Sequence, residues 1–412
     1  METTETASKT QNPKENPPTV EPQMPATQMP IEKNSQGDKE IWQYPRELAN
    51  DLQDLGLPER VKAEIFGTAW EYTRVVIPTY TDWPRYVAFL RMIVVAVVAE
   101  FRGDLVDVMA GSDVLGYNLD DLVYTVFAGT PGEAGDLMGR EFRAFLLFTA
   151  DKSGERRSGE LFRRYVNTLP QSPRNWFRLR DCDGGGRLTL AAGLACNGLN
   201  DIWFTEEQFE ILAEMSCCMY DAVAFFKHRS EGETNSTFAY MPAELRRKAF
   251  KLHRDTLWAL DVCWARKPGL QGVVNFVRHF GGPLHMTMRR YCFVEDDLTI
   301  GRAETEDVID RARQNFKLWH RLDETKIHRQ EFERYQAAIA REGELMFPGM
   351  AKMLEEGGDG TCNQCKYRAS YGTKVSYQFG GVEICAECKV EWQKYFESFP
   401  VRAAWVFPEL SM

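Results

Sequence analysis

No uninterrupted apolar run in this 412-residue chain is longer than the eight residues MIVVAVVA, 92–99. A helix that spans a bilayer needs roughly 20 such residues, so no transmembrane segment is expected. The first residues lack the basic, apolar and small-residue succession of a secretory leader, and their glutamates do not suit a transit peptide. Excess positive charge is missing too: 50 Lys and Arg stand against 60 Asp and Glu, a net charge of −10. That disfavours wholesale nucleic-acid binding, which needs a broad basic surface, but leaves room for a local basic pocket. No internal repeat is visible. Strand-type alternation is confined to TKVSYQF, 373–379, and the GG and VEIC that follow it. These absences predict a soluble, cytoplasmic, mostly helical protein, and none of them specifies an oligomeric state.

Hydrophobic residues make up 44% of the chain and aromatics 12%, enough for a large core. Residues 1–38, rich in Pro, Thr, Glu, Gln and Asn, read as a disordered segment. Helical periodicity then runs near 58–76, 84–110, 138–151, 154–168, 187–197, 206–229, 243–265, 270–280, 283–292, 303–318 and 326–355. Pro and Gly separate these runs. The predicted fold class is therefore all-α. A helical bundle domain occupies 39–356, and 357–412 forms a small appendix with a C-terminal tail.

The appendix carries the strongest local motif. Cys362 and Cys365 form one CxxC pair, Cys385 and Cys388 another, with 19 residues between them. Two such turns supply four thiolates for a tetrahedral Zn²⁺, and four protein ligands leave no open position, so a structural, zinc ribbon-like role is expected. A redox dithiol or a macromolecular contact is the competing use. Cys182, Cys196, Cys217, Cys218, Cys263 and Cys292 are scattered and read as reduced core residues.

In RYVAFLRMIVVAVVAEFRGDLVDV, 85–108, an apolar helix runs into Glu100, with Asp104 and Asp107 at helical spacing beyond it. A helix end reaching solvent beside Arg102 accounts for this. The alternative is that Glu100, alone or with Asp104, faces a cavity as metal ligand or acid/base, because a buried carboxylate either protonates or finds a cation. Glu64, on the helix near 58–76, is a weaker candidate of the same kind.

KHRSEGETNSTFAYMP, 227–242, follows a core-type helix and is dense in charge. A solvated helix end explains it cheaply. If the helix instead continues, Glu231, Glu233 and Asn235 supply hard oxygen ligands suited to Mg²⁺, while Lys227, His228 and Arg229 supply charge suited to phosphate. Arg174, Arg178 and Arg180 form a second basic cluster, and Arg289, Arg290 and Tyr291 a third. Each alone is ordinary surface charge; together in an acidic protein they suggest an anion pocket.

WEYTRVVIPTYTDWPRYVAF, AEFRGDLVDV, FKHRSEGETNSTFAYMP, HFGGPLHMTMRRY, LTIG and CNQCKYRASYG…FGGVEICAEC, in this order, resemble the fungal α-ionylideneethane synthases. These are sesquiterpene synthases of abscisic acid biosynthesis, and the likeness covers about 42–410. The resemblance implies a helical bundle like that of class I terpene synthases, farnesyl diphosphate as substrate, Mg²⁺ as cofactor, and α-ionylideneethane and diphosphate as products. It also implies proton loss and return through neutral polyenes before ring closure. Like that family, the chain lacks the aspartate-rich DDxxD motif: Asp120-Asp121 and Asp296-Asp297 have no third acid. Tyr220, Ala224 and His228 stand where the asparagine–serine–glutamate triad of ordinary class I enzymes would fall. Arg290-Tyr291 resembles their diphosphate-contacting pair.

The expected site thus comprises Glu100 with Glu64 or Asp104, Glu231 and Glu233 with Asn235 around Mg²⁺, and Arg178, Arg180, Lys227, Arg229, Arg290 and Tyr291 around the diphosphate. His228 is a candidate proton shuttle. Two rivals stand beside this reading: a cyclase of the same family with another terpene product, and a non-catalytic, zinc-stapled interaction protein.

Overall fold

The computed structural model describes residues 42–153, 159–225, 228, 235–239, 241–288, 331–359, 362–367 and 382–411. The expected helix at 303–318, the strand at 373–379 and residues 1–38 lie outside them. The described residues are helical almost throughout, as the periodicity predicts. Four helices come first: α1 (Glu59–Val76), α2 (Trp83–Phe101), α3 (Leu119–Phe127) and α4 (Ala134–Ser153). Next are α5 (Glu160–Asn167), α6 (Pro173–Gly184), α7 (Gly186–Cys196) and α8 (Glu206–Val223). Then follow α9 (Ala243–Trp264), α10 (Pro268–Phe280) and α11 (Pro283–Thr287). The last are α12 (Glu331–Ile339), α13 (Glu342–Leu345), α14 (Met350–Asp359), α15 (Ala386–Glu397) and α16 (Phe399–Val406). Two antiparallel two-residue ladders complete the description: β1 (Asp113–Val114) with β2 (Tyr117–Asn118), and β3 (Lys366–Tyr367) with β4 (Val382–Glu383).

α2 is the central helix. The Asp82 carboxylate caps it by accepting the Arg85 N–H, and Pro84 sits in its first turn. From Tyr86 to Ala99 only Arg91 is not fully buried, because α1, α3 and α4 all pack on it. That is why its sequence is apolar on every side. α8 begins with a reciprocal cap between Thr205 and Gln208 and packs on α6, α7, α9 and α10.

The junction of α6 and α7 needs glycine. Ser172 caps α6 by accepting the Asn175 N–H. At the other end Gly185 takes φ +66°, and its N–H caps the carbonyls of Asp181 and Cys182. A β-carbon on Gly186 would lie 2.8 Å from Asp181 Oδ1.

Several sequence expectations need correction. α2 stops at Phe101 instead of running to 110, since Arg102 leaves helical geometry at φ −135° and a 3₁₀ turn follows. α8 stops at Val223, not 229. The run 326–355 is divided among α12, α13 and α14, with Pro348 and a positive-φ Gly349 making the second break. α3, α6, α15 and α16 were not expected as separate helices. Of the scattered cysteines, Cys182, Cys196, Cys217 and Cys218 are buried, Cys263 is half-buried, and Cys292 lies outside the described residues.

The C-terminal helices are fastened to α8 through a buried carboxylate. Glu214 accepts two hydrogen bonds from Arg402 at 2.7 and 2.8 Å, one from Tyr395 at 2.7 Å, and contacts His253 at 3.2 Å. Burial alone would raise its pKa, but Arg402 and His253 outweigh it and hold the carboxyl at about 2, below its ordinary 4.5. The stabilisation from this depressed carboxylate is therefore complete above about pH 4.5 and is lost as the pH falls toward 2. It amounts to about 3 kcal/mol. Denaturant unfolding at pH 6 and pH 3 is expected to show about 2 kcal/mol of that loss in the wild type, the rest following below pH 3. In Glu214→Gln, which has no proton to take up here, the acid-dependent loss should shrink by about the same amount.

Candidate active site

α1, α2, α4, α6, α7, α8 and α10 surround a pocket of about 1000 Å³, including its open mouth. Most of its wall is apolar or aromatic: Ile93, Val97, Phe142, Phe145, Leu188 and Phe280 among others. Tyr72 and Tyr220 also face it. Its charged groups are Glu100, Lys152, Arg180 and Asp183.

Three of those charges are parts of one buried network. Asp183 accepts from Lys152 at 2.9 Å, Arg180 at 2.5 Å, Asn235 at 2.7 Å and Tyr165 at 3.0 Å. Arg180 also clasps Asp221 in a fork, at 3.1 and 2.7 Å. Asp221 in turn accepts from the Thr237 N–H at 2.9 Å and its hydroxyl at 2.6 Å. Burial would push the Asp183 carboxyl up, but Lys152 and Arg180 hold it below the usual range. Burial would likewise lower Arg180, yet Asp221 and Asp183 keep it firmly charged. Burial and the neighbouring Asp183 push the Tyr165 phenol far up, so it stays a donor.

The imidazoles adjoin this network. His228 is buried, with Nδ1 3.9 Å from Asp221 Oδ1 and its ring 5.5 Å from Tyr220. His285 lies against the same tyrosine at 4.3 Å. Tyr220 is thus placed between two buried imidazoles and the pocket.

The expected residues are therefore partly gathered. Glu100 and Arg180 line the pocket, and Asn235 and His228 stand behind Asp183 and Asp221. Glu64 is buried on α1, one turn before Thr68, which reaches the pocket wall. Two expectations fail. Asp104 follows the end of α2 and is turned to the surface, where Arg102 holds it at 3.0 and 2.9 Å. Arg178 points away from the pocket. Two residues on a helix are about 200° apart, so Arg178 and Arg180 take opposite faces of α6. Arg178 is buried against Glu141, with Asp181 at 3.6 Å and Glu206 at 3.5 Å, and lines a second cavity. Arg174, from the same cluster, is exposed and paired with Glu210 at 2.8 Å. Lys227, Arg229, Glu231, Glu233, Arg290 and Tyr291 lie outside the described residues.

Sequence reasoning missed Lys152, Asp183 and Asp221. For Asp183 a signal existed: it stands three residues after Arg180, the spacing of a helical ion pair. Lys152 and Asp221 carry no such mark, one at the end of a long helix and the other inside an apolar stripe.

The four cysteines of the two CxxC pairs come together, with all four Sγ atoms within 4.8 Å of one another. Cys362 and Cys385 are 3.9 Å apart, Cys365 and Cys388 3.6 Å. A tetrahedral Zn–S distance of roughly 2.3 Å requires sulfurs about 3.8 Å apart, so the donor set suits zinc. Among the described residues this is the one group of three or more His, Cys, Asp or Glu that could hold a metal. Mg²⁺ characteristically takes one or two carboxylates and completes its shell with substrate phosphates and water. Glu100 and Asp183 are the carboxylates on the pocket wall, and a single wall carboxylate such as Glu100 fits that mode.

Residues 40–409 match the family described as Alpha-ionylideneethane synthase aba3. The protein of that name from Botryotinia fuckeliana (strain B05.10) is 61% identical over 372 residues, 90% of this chain and 84% of its own. Alpha-ionylideneethane synthase abl3 of Leptosphaeria maculans is 57% identical over 377 residues, covering 91% and 88%. The protein named abl3 in Pyricularia oryzae (strain Y34) is 46% identical over 431 aligned positions, covering 90% and 83%. With a match of this extent, the chain belongs to the α-ionylideneethane synthase family.

Proposed function

We propose that this protein is a sesquiterpene synthase that converts farnesyl diphosphate into α-ionylideneethane and diphosphate, in abscisic acid-type metabolism. The observation that carries the reading is the joining of a greasy pocket to the Lys152–Asp183–Arg180–Asp221 network. A hydrocarbon chain fits the former, and its diphosphate head the charged end.

The bond between the allylic carbon and the diphosphate oxygen breaks, and both electrons leave with the oxygen. Lys152 and Arg180 offset the charge gathering on the leaving group. The aromatic faces of Tyr72, Phe142, Phe145, Tyr220 and Phe280 steady the allyl cation. The C-terminal end of α6, at Gly184 and Gly185, presents the negative end of a helix dipole to the same space. Apolar walls keep out water, which would quench the cation to an alcohol. Forming a hydrocarbon requires loss of a proton, taken by the released diphosphate or by His228, with Glu64 as a further acid/base. Mg²⁺ supplies Lewis-acid neutralisation of the diphosphate when bound. Glu100, with Glu231 and Glu233, is proposed to hold it; Lys227, Arg229, Arg290 and Tyr291 complete the proposed diphosphate pocket, and Asn235 supports it from behind by holding Asp183. Zn²⁺ on the four cysteines is structural.

The reading also keeps the division into a segment 1–38, a catalytic body 39–356 and a zinc-binding part 357–412, and a cytoplasmic location. No described helix is long and apolar enough to cross a membrane.

Purified protein given farnesyl diphosphate and Mg²⁺ is expected to release diphosphate and α-ionylideneethane, identified by gas chromatography and mass spectrometry. Chelation of Mg²⁺ should stop both. A different hydrocarbon would assign another cyclase of the family, and no consumption of any allylic diphosphate would leave the interaction-protein reading.

A further inference from the structure

We propose that Trp392 and the four-cysteine centre form a clamp that positions α6, and with it Arg180 and Asp183. The catalytic part of this inference rests on the function proposed above; the mechanical part does not.

The turn before α6 is held by Trp392, with Cys388 of the cysteine centre packed beside it. Trp392 Nε1 donates to the Leu169 carbonyl at 2.9 Å, and Cys388 Sγ lies 3.5 Å from the Pro170 carbonyl. Two residues later Ser172 caps the helix. Trp392 is buried, and it and Phe396 pack edge-on against Phe177 of α6 at 5.7 and 6.2 Å. α15, which carries Trp392, begins directly after Cys385, its cap and a member of the cysteine group. The line of contact thus runs from the metal-binding thiolates through α15 to the first turn of α6.

The other end of α6 delivers Arg180, Asp183 and Gly184 to the pocket. Its 12 residues span about 18 Å. A tilt of about 3° at the clamped end displaces the far end by about 1 Å, and misplacement on that scale costs up to about 100-fold in a reaction that depends on position. Trp392 is accordingly a positioning residue. It touches neither the pocket nor the charged network, yet it bears on both.

The test uses the full zinc-loaded chain and Trp392→Phe, which keeps an aromatic ring but loses the N–H. The variant should retain its zinc and its helical circular dichroism. Amide hydrogen exchange across 169–184 should quicken about tenfold, and affinity for inorganic diphosphate with Mg²⁺ should fall about tenfold, less than the roughly 100-fold that a 1 Å misplacement costs a reaction rate. Trp405→Phe, at an 87% exposed position on α16, serves as comparator and should change neither. Exchange across 169–184 unchanged from wild type, or diphosphate affinity within twofold of it, overturns the proposal. Should Trp392→Phe fail to fold, a zinc chelator titrated into the wild type decides. Exchange at 169–184 that rises with metal release while the helical signal persists supports the clamp; exchange that stays protected after full release overturns it. Wild type that neither binds diphosphate nor consumes farnesyl diphosphate sinks the functional reading alone, because the exchange measurement needs no ligand.

Discussion

Glu100→Gln is expected to reduce turnover of farnesyl diphosphate by about a thousandfold while leaving the fold intact. Loss of one preorganised electrostatic partner of a transition state costs roughly 10²–10³, and a group that also anchors Mg²⁺ belongs at the top of that range. Glu100 is the single acid of α2, on a wall otherwise formed by Ile93, Ala96 and Val97. It is only half-buried, and glutamine matches its shape, so the helix has no packing reason to fail. Circular dichroism and thermal unfolding should be close to wild type. Product and diphosphate should fall together, since both follow from one ionisation. Turnover within threefold of wild type would remove Glu100 from the mechanism.

Asp183→Asn should strike stability and activity at once. The Asp183 side chain has no exposed surface and balances Lys152 and Arg180. Asparagine keeps the volume but offers no charge and turns two acceptor positions into donors facing donors. Breaking one partner out of a buried ion network costs about 3–5 kcal/mol. Lys152 loses its ion pair with Asp183, while Arg180 keeps Asp221. Arg180 is then held on one side instead of two, and turnover is expected to drop at least about 100-fold even at temperatures where the variant is folded. Denaturant unfolding and single-turnover kinetics on the same preparation check both parts. A stability loss under 1 kcal/mol, or turnover within threefold of wild type, would contradict this account.

The helices were legible where local chemistry marks them. Pro58 and Pro78 bracket α1, and the sequence placed it to within a residue. α2 was found by its unbroken apolar stretch, but its end was overrun, because Glu100-Phe101-Arg102 has ordinary helix formers and the break lies in the backbone of Arg102. That error carried Asp104 onto a face it does not occupy. The error over Arg178 was of another kind. SPRNWFRLRDCDG was read as a charged cluster, and only once it is a helix do Arg178 and Arg180 part company. The cysteine pairs, by contrast, needed no fold to be recognised.

What sequence alone determined here is whatever depends on neighbours along the chain: helix periods, glycine and proline breaks, the CxxC spacings and the family to which they point. The tertiary structure decided which charges meet. Lys152, Asp183, Asp221 and Asn235 come from four separate parts of the chain, and no spacing between them encodes their convergence. Lys152, Asp183 and Asp221 are brought together by the packing of α4, α6 and α8, and Asn235 joins them from the stretch after α8; that packing is set by apolar burial and is indifferent to the charge it encloses. The charge then has to be matched in place, because a buried ion without a partner is too costly to keep.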